Sequence, residues 1–336
     1  MWSDPEVQTV LPGVHRAPVP LPDDGLRAVN VYVIEDGDGV TLVDAGWDGP
    51  VARAAVQRGL DAAGADITDV RRILITHVHY DHIGQATALR REGAQAYWLG
   101  EGEKATFTNL ITDPLASRLR RMEELLRYGA EPLVRTGLTQ ADAPEDPLDW
   151  DHPDRWAIEG DHAPLLDGAL EIINTPGHTI GHQCYVHRGR RVLFAGDHVL
   201  PHITPSIGLE GVVNRQSLAD FLSSLAKVRN LDVDLVLPAH GEVFTDLSGR
   251  VDQLTTHHDQ RLAACAAAVG AATTTAYAVA MQLPWTRRET PFDQLNHFNQ
   301  VLATWETAAH LELLHARGTL RRVVTDDIIT FGPVAG

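Results

Sequence analysis

Cysteine is scarce in this chain, and long apolar runs are absent. Only Cys184 and Cys265 occur among 336 residues, which argues against a disulfide framework and favours a reducing compartment. No uncharged apolar run approaches the ~18 residues of a membrane-spanning helix. The first ten residues, MWSDPEVQTV, have neither the basic nor the apolar stretch of a secretory signal. We therefore predict a cytoplasmic protein with no membrane partner.

Basic side chains are also few. The sequence has 28 Lys and Arg against 45 Asp and Glu, which gives a formal net charge of −17. A field of that sign repels phosphate backbones, and the composition lacks the basic excess that is typical of nucleic-acid-binding proteins. A nucleic-acid partner is therefore disfavoured, and a small-molecule substrate is expected.

Strands and helices alternate through much of the sequence. Residues 29–33 and 40–43 are β-rich and flank an Asp-Gly-Asp-Gly turn, which predicts a hairpin. Residues 50–63 have the alanines and spaced apolar positions of a helix. Further strands are predicted at 72–76, 96–99, 169–174, 183–187, 191–195 and 235–238, and further helices at 84–91 and 215–228.

Two segments depart from this alternation. Residues from about 101 to 150 have helical patterns, and we interpret them as an insertion lying over a site, a common form of substrate lid. After residue 248, helices near 249–269, 273–282 and 291–317 precede a hairpin, which is the pattern of a small winged-helix module. We therefore predict a catalytic domain at 1–248, which carries the insertion, and a winged-helix-like domain at 249–336.

A group of arginines in the insertion has two interpretations. Arg118, Arg120 and Arg121 could bind an acidic group of a substrate. The alternative, which the pattern favours, is a solvated helix face where these arginines pair with Glu123 and Glu124.

The strongest chemical signal is a cluster of metal-capable side chains just past a predicted strand. The sequence THVHYDHIG contains four of them within six residues: His77, His79, Asp81 and His82. Such a run suits a loop that wraps round a cation. Imidazole and carboxylate ligands together favour Zn²⁺, Fe or Mn over Ca²⁺.

Three more ligand-type residues lie at or near predicted strand ends, each beside a glycine. His178 lies in TPGHTIGH, Asp197 in FAGDH and His240 in LPAHG. Such a repeated coincidence is hard to explain by structural side chains alone. With the first cluster, these residues predict a metal site with seven ligands.

With these motifs the chain resembles the metallo-β-lactamase-fold superfamily, in particular its glyoxalase II-like hydrolase branch. The family pattern is an apolar strand ending in Asp, a His-x-His-x-Asp-His loop, and then separate His, Asp and His ligands, all present in that order within residues 10–245. The resemblance implies an α/β fold, the αββα four-layer sandwich, with the site at one edge of two sheets. The segment from about 250 resembles the winged-helix domain of one branch of these hydrolases.

The resemblance also implies a role for each matching residue. The ligands divide into two groups and a bridge: His77, His79 and His178 for one metal ion, Asp81, His82 and His240 for the other, and Asp197 between the two. Asp81 and Asp197 are the carboxylates expected at the catalytic centre. Asp44, in LVDAG, and His182 are expected to lie behind the ligands and orient them.

These implied roles lead to an expected function. Two divalent metal ions, with Zn²⁺ ahead of Fe and Mn, would share a hydroxide that attacks a carbonyl carbon. We therefore expect a metal-dependent hydrolase that cleaves a small thioester, lactone or ester. Two alternatives stay open: a nuclease acting on single-stranded RNA, and a mono-iron oxidoreductase of the persulfide dioxygenase type. The C-terminal domain would pack against the catalytic domain, narrow the pocket or form an oligomer contact.

Overall fold

Two β-sheets packed face to face form the centre of the molecule. The computed structural model describes residues 3, 6–22, 26–137, 147–208 and 213–334. Within them, the first sheet has seven strands, adjacent in chain order: β1 (Gln8–Leu11), β2 (Val14–Pro20), β3 (Ala28–Asp36), β4 (Gly39–Val43), β5 (Val70–Ile75), β6 (Tyr97–Gly100) and β7 (Arg155–Ala157). The second sheet has five, also adjacent in chain order: β8 (His162–Leu165), β9 (Gly168–Asn174), β10 (Gln183–His187), β11 (Val192–Gly196) and β12 (Leu235–Pro238).

Helices cover the outer faces of both sheets. In chain order they are α1 (Pro50–Ala62), α2 (Tyr80–Ile83), α3 (Ala86–Glu92), α4 (Lys104–Thr112), α5 (Pro114–Arg127), α6 (Glu131–Gly137), α7 (Ser217–Val228), α8 (Leu247–Val269), α9 (Ala276–Ala280) and α10 (His297–Ala316). A separate hairpin, β13 (Leu320–Thr325) and β14 (Ile328–Pro333), follows the last helix. Among the described residues, no helix combines the length and apolar character that a membrane crossing needs.

The alternation of side chains along β3 separates the core into layers. Val31 and Val33 belong to a buried cluster that includes Val56 of α1. Tyr32 points to the opposite face, as a neighbouring strand residue must, and its ring lies 5.4 Å from that of Phe194 in the second sheet. The layers are therefore helix, sheet, sheet and helix, and the predicted αββα architecture is confirmed.

Local side-chain chemistry explains where predicted and observed helix ends differ. The helix predicted at 291–317 begins only at His297, because the side chain of Asn296 accepts a hydrogen bond from the backbone N–H of Asn299 and caps it. In the same way, Thr275 accepts from Ala278 N–H, so α9 is shorter than the helix predicted at 273–282.

Helices α5 and α6 of the insertion and the C-terminal segment pack on the outer face of the second sheet. Tyr128, which caps α5, lies in one buried cluster with Val236 of β12, Phe221 of α7, Leu311 of α10 and Phe331 of β14. Packing of the C-terminal segment against the catalytic part is thus observed. Its assignment as a winged helix and the boundary at 248/249 stay predictions. Residues 138–146 of the predicted insertion lie outside the described residues.

Candidate metal centre

The candidate ligands follow the carboxyl ends of parallel strands. β4 pairs in parallel with β5, and β11 pairs in parallel with β12, so the chain leaves each pair at the same edge of its sheet. Asp44 and His77 follow β4 and β5, and Asp197 and His240 follow β11 and β12. Side chains that are far apart in sequence are thereby brought together at one edge of the sandwich.

Three imidazoles form the first group of potential ligand atoms. Nε2 of His77 lies 2.9 Å from Nδ1 of His79, and the same Nδ1 lies 3.0 Å from Nε2 of His178. The residues approach one another from the loop after β5 and the loop after β9, ninety-nine positions apart for His79 and His178. Three ring nitrogens converging in this way are able to hold one cation.

A carboxylate and two imidazoles form the second group. Oδ2 of Asp81 lies 3.5 Å from Nε2 of His82 and 3.3 Å from Nε2 of His240. His82 and His240 are buried, whereas the Asp81 side chain is 18% exposed. This group too is compact enough to hold a cation, and Asp81 gives it an opening to solvent.

Asp197 lies between the two groups. Its Oδ2 is 3.5 Å from Nε2 of His178 and 3.8 Å from Nε2 of His82, and its Oδ1 is 3.5 Å from Nε2 of His240. The carboxylate therefore faces the first group with one oxygen and the second group with both.

Unpartnered buried atoms indicate that divalent cations fit this arrangement. Nε2 of His82, Nε2 of His240 and Oδ1 of Asp197 are buried, and none has a hydrogen-bond partner among the described residues. Leaving such an atom without a partner costs about 1–3 kcal/mol, and all three point to the same place. Imidazole and carboxylate donors suit Zn²⁺, Fe and Mn, so the side chains present match divalent metal ions.

The outer ring nitrogens of three histidines are held by oxygen acceptors. In His82, Nδ1–H donates to Oδ2 of Asp44 at 2.8 Å. In His178 it donates to the carbonyl of Ser206 at 2.7 Å, and in His240 to the carbonyl of Ala28 at 2.8 Å. Because these oxygens accept, Nδ1 keeps its proton in each ring and Nε2 is the nitrogen that faces the site. Such outer contacts fix ring orientation and increase ligand basicity.

Asp44 has a left-handed backbone conformation. It lies just past β4 with φ of 63°, in the left-handed region that Asp tolerates better than most residues. Its Oδ1 accepts hydrogen bonds from N–H and Oγ1 of Thr76, at 2.8 and 3.0 Å. The buried carboxylate thus ties the β4 end to the loop that begins with His77.

His182 contacts the backbone of Asp197 rather than the ligand atoms. Its Nε2 accepts the backbone N–H of Asp197 at 3.1 Å, so its Nδ1–H donates to Oγ1 of Thr175, 2.7 Å away. Burial lowers the pKa of His182 well below its ordinary value, which keeps Nε2 free to accept.

The histidine pKa values shift downward in the first group, whereas that of His82 in the second group shifts upward. Burial, followed by the nearby His178, lowers the pKa of His79 to about 3, and burial also lowers the pKa of His77 and His178. These imidazoles are neutral at pH 7 and offer lone pairs. Burial also acts to lower the pKa of His82, but Asp81, Asp44 and Asp197 outweigh it and raise that pKa to about 10. A cation in the second group would therefore compete with a proton.

One expectation about the insertion was wrong. Glu124 forms ion pairs with Arg127 and Arg215 instead of the predicted arginine group. Within the described part of the chain, Arg118 reaches only the carbonyl of Gly137 and Arg120 only the hydroxyl of Ser117, and neither meets a carboxylate.

Sequence reasoning also missed a buried carboxyl group beside the site. Glu103 is fully buried, and Oγ1 of Thr179 donates a hydrogen bond to its Oε1. Burial raises the pKa of Glu103 to about 7. It lies in the acidic run EGEK, where no ligand spacing distinguishes it from a surface glutamate.

Comparison with known proteins gives this geometry a family context. A family model described as "Metallo-beta-lactamase superfamily" matches residues 24–240. The chain is 24% identical over 318 residues to the "Probable metallo-hydrolase YqjP" of Bacillus subtilis (strain 168), covering 90% of this chain and 91% of that protein. It is 22% identical over 255 residues to the atrochrysone carboxyl ACP thioesterase of Aspergillus fumigatus, covering 74% of this chain and 62% of that protein.

Two solved structures are similar over almost the whole chain. A metallo-beta-lactamase family protein from Thermus thermophilus is 28% identical, with a TM-score of 0.78 and coverage of 97% of this chain and 100% of that one. A beta-lactamase domain protein from Burkholderia ambifaria is 27% identical, with a TM-score of 0.83 and coverage of 98% of this chain and 94% of that one. Both similarities therefore include the C-terminal segment as well as the two sheets.

Proposed function

The chain belongs to the metallo-beta-lactamase superfamily and is a metal-dependent hydrolase, and on this basis we propose that it binds two divalent ions and cleaves a small thioester, lactone or ester. The proposed ligands are the seven residues of the two groups and the bridge: His77, His79, His178, Asp81, His82, His240 and Asp197. Zn²⁺ is the proposed metal, because it accepts this set of nitrogen and oxygen donors.

The position of Asp197 is the observation that carries the proposal. Its carboxylate lies 3.5 Å from Nε2 of His178 in one group and 3.5 Å from Nε2 of His240 in the other. A carboxylate within reach of both groups supports two ions at a short separation. A mono-iron oxidoreductase would use only one group and would leave the buried nitrogens of His82 and His240 without a partner.

Ions bound here supply a water nucleophile that is activated near neutral pH and a Lewis acid for the carbonyl oxygen. The protein's own part is orientation. Asp44 and the carbonyl of Ser206 fix the rings of His82 and His178, and His182 holds the backbone N–H of Asp197. Asp81, the most exposed carboxylate of the site, lies where a substrate would enter.

The two cysteines do not offer another nucleophile. Cys184 and Cys265 are both fully buried, and burial raises the pKa of each thiol to about 12. A thiol in that state is neutral and inert at pH 7. This observation supports water, rather than a side chain, as the group that attacks the substrate.

The choice of substrate rests on two observations. A relative is named as a thioesterase, and thioesters, lactones and esters present the same electrophilic carbonyl carbon. The net charge of −17 disfavours a nuclease, since it repels phosphate backbones. We therefore place carbonyl hydrolysis ahead of RNA cleavage.

A substrate panel with a matched pair of histidine variants tests the proposal. Acyl thioesters, lactones and aryl esters are assayed with the metal-stripped protein before and after Zn²⁺ is added. Turnover that appears with Zn²⁺ is expected, and it should be lost in His77→Ala. It should be retained in His187→Ala, because His187 is equally buried but lies away from the site, beside Asp167. Full activity in His77→Ala would refute the site assignment.

A further inference from the structure

Glu103 is a buried carboxyl group that lies between the two loops of the first ligand group. It ends the short 3-10 turn Glu101–Glu103, which follows β6 and immediately precedes α4, the first helix of the insertion. Its exposed fraction is 0%. A fully buried carboxyl group is rare unless it has partners, so its contacts are informative.

The surroundings of this carboxyl group include both loops. Oγ1 of Thr179, the residue after His178, donates a hydrogen bond to Oε1 of Glu103. The backbone N–H groups of Val78 and Gly181 also stabilise the charged form and oppose the rise in the pKa of Glu103 that burial causes. Val78 separates His77 from His79 in sequence, so the Glu103 carboxyl group lies near the immediate neighbours of all three imidazoles in the first group and is bonded to one of them, Thr179.

The turn and the His178 loop lie backbone against backbone. A Cβ added to Gly181 would lie 2.2 Å from the backbone nitrogen of Glu103, and one added to Gly100 would lie 2.3 Å from the carbonyl oxygen of Gly181. Real Cβ atoms do not approach backbone atoms so closely. The two glycines therefore permit a contact that leaves little freedom for the loops to shift relative to each other.

The second oxygen of the carboxyl group lacks a hydrogen-bond partner among the described residues. Oε2 of Glu103 is buried and makes no hydrogen bond with any residue that the structure describes. A buried polar atom in this state lowers stability. Stability alone therefore does not explain a glutamate at this position. The contact made by its other oxygen, Oε1, points to a role in positioning.

We propose that Glu103 is a positioning residue that holds the His178 loop against the His77–His79 loop and so sets the affinity of the first ion site. The same contact joins the start of the insertion to the metal centre. This inference rests on the proposed function, because it takes His77, His79 and His178 as ligands of one ion.

Metal affinity in Glu103 variants tests the inference without relying on activity. Zn²⁺ is titrated into the metal-stripped full-length protein in competition with a chromophoric chelator. We expect Glu103→Ala to weaken one of two binding steps about 10–100-fold, the usual effect of losing a partner behind a ligand, and to leave the other step unchanged. Glu103→Gln keeps an acceptor for Thr179 and should weaken binding less. Activity lost in Glu103→Ala should return at saturating Zn²⁺.

Matched controls separate positioning from general stability. Glu312→Gln alters another buried glutamate, which contacts Tyr128 and Arg322 away from the site, and should leave both affinities unchanged. Thr179→Val removes the donor to Glu103 and should act like Glu103→Ala, whereas Thr179→Ser should restore wild-type affinity. If Glu103→Ala does not fold, the two Thr179 variants decide the question.

The outcomes distinguish this inference from the proposed function. Wild-type affinities at both steps in Glu103→Ala and Thr179→Val would overturn the role of Glu103. An equal loss at both steps would also overturn it, since that is the result of a purely structural defect. A wild-type chain that binds only one ion contradicts the dinuclear function instead. In that case the role of Glu103 is supported if its variants lower the affinity for that ion, and it is overturned if they leave the affinity unchanged.

Discussion

Oδ2 of Asp44 lies 2.8 Å from Nδ1 of His82, and both side chains are almost completely buried. Because the carboxylate accepts a hydrogen bond from Nδ1–H, Nε2 is the ring nitrogen of His82 that faces Asp81 and Asp197. This single contact decides which ring nitrogen can serve as a ligand.

Asp44→Asn is expected to weaken the second ion site and reduce turnover about 10–100-fold. Asn has the same shape and tolerates the left-handed backbone, but an amide NH₂ group facing His82 donates instead of accepting. Metal content after dialysis and kcat measure the effect. Asp36→Asn is the control, because Asp36 is also buried in the first sheet but accepts from Leu166 N–H, away from the site. Full metal content and kcat in Asp44→Asn would contradict the orientation argument.

Acid should destabilise the packing of α8 on α10. Nδ1–H of His310 donates to the carbonyl of Glu306, and its Nε2 accepts from Nδ1 of His258, 3.2 Å away. Burial lowers the pKa of His258 to about 2 and that of His310 to about 4, whereas both titrate near 6.5 in the unfolded chain. The unfolded state therefore takes up protons first, and stability is retained above about pH 6.5 and lost as the pH falls toward 4, by ~1.4 kcal/mol per pH unit for each imidazole.

His310→Gln removes one of these titrating groups. The slope of unfolding free energy against pH, measured by urea unfolding between about pH 6 and 5, should fall by ~1.4 kcal/mol per pH unit. His162→Gln, a change at an exposed position, should leave the slope as it is. Parallel curves for wild type and His310→Gln would show that the pair is not a source of acid sensitivity.

The Arg121→Ala substitution should raise KM for substrates that carry a carboxylate and not for neutral substrates. Burial, followed by the adjacent Arg118 and Arg120, lowers the pKa of Arg121, and no carboxylate among the described residues pairs with this group. In an acidic protein, such an unneutralised cluster favours an anionic ligand. We expect KM to rise about tenfold or more for substrates that bear a carboxylate and to stay constant for neutral ones.

Arg135→Ala provides the control for that experiment. Arg135 lies on the neighbouring helix α6 and is exposed beside Glu131, so its loss should change neither KM. If Arg121→Ala raises KM equally for charged and neutral substrates, the arginine group does not recognise an acidic group.

The central ligands could be predicted because their chemistry is local in sequence. His77, His79, Asp81 and His82 fall within six residues, just after a strand whose apolar character is clear. The hairpin between β3 and β4 could be predicted equally well, since the pairing of Asp36 with Gly39 leaves the two-residue turn that an Asp/Gly sequence favours.

Contacts made by backbone carbonyls or by distant partners could not be predicted. Every residue has a carbonyl group, so nothing in the sequence marks those of Ala28 and Ser206 as acceptors for ligand histidines. The expected pairing of Glu124 with the arginine group failed because Arg215, 91 positions away, takes that carboxylate. Glu103 was missed for the same reason, since its partner Thr179 is 76 positions away.

Metal content per chain is the direct test of the two-ion site. Wild-type protein and Asp197→Asn, both purified without chelator, are compared by inductively coupled plasma mass spectrometry. We expect about two zinc ions per wild-type chain and a large loss of both in Asp197→Asn, because that carboxylate faces both groups. A single iron per chain, or two ions retained in Asp197→Asn, would contradict this expectation.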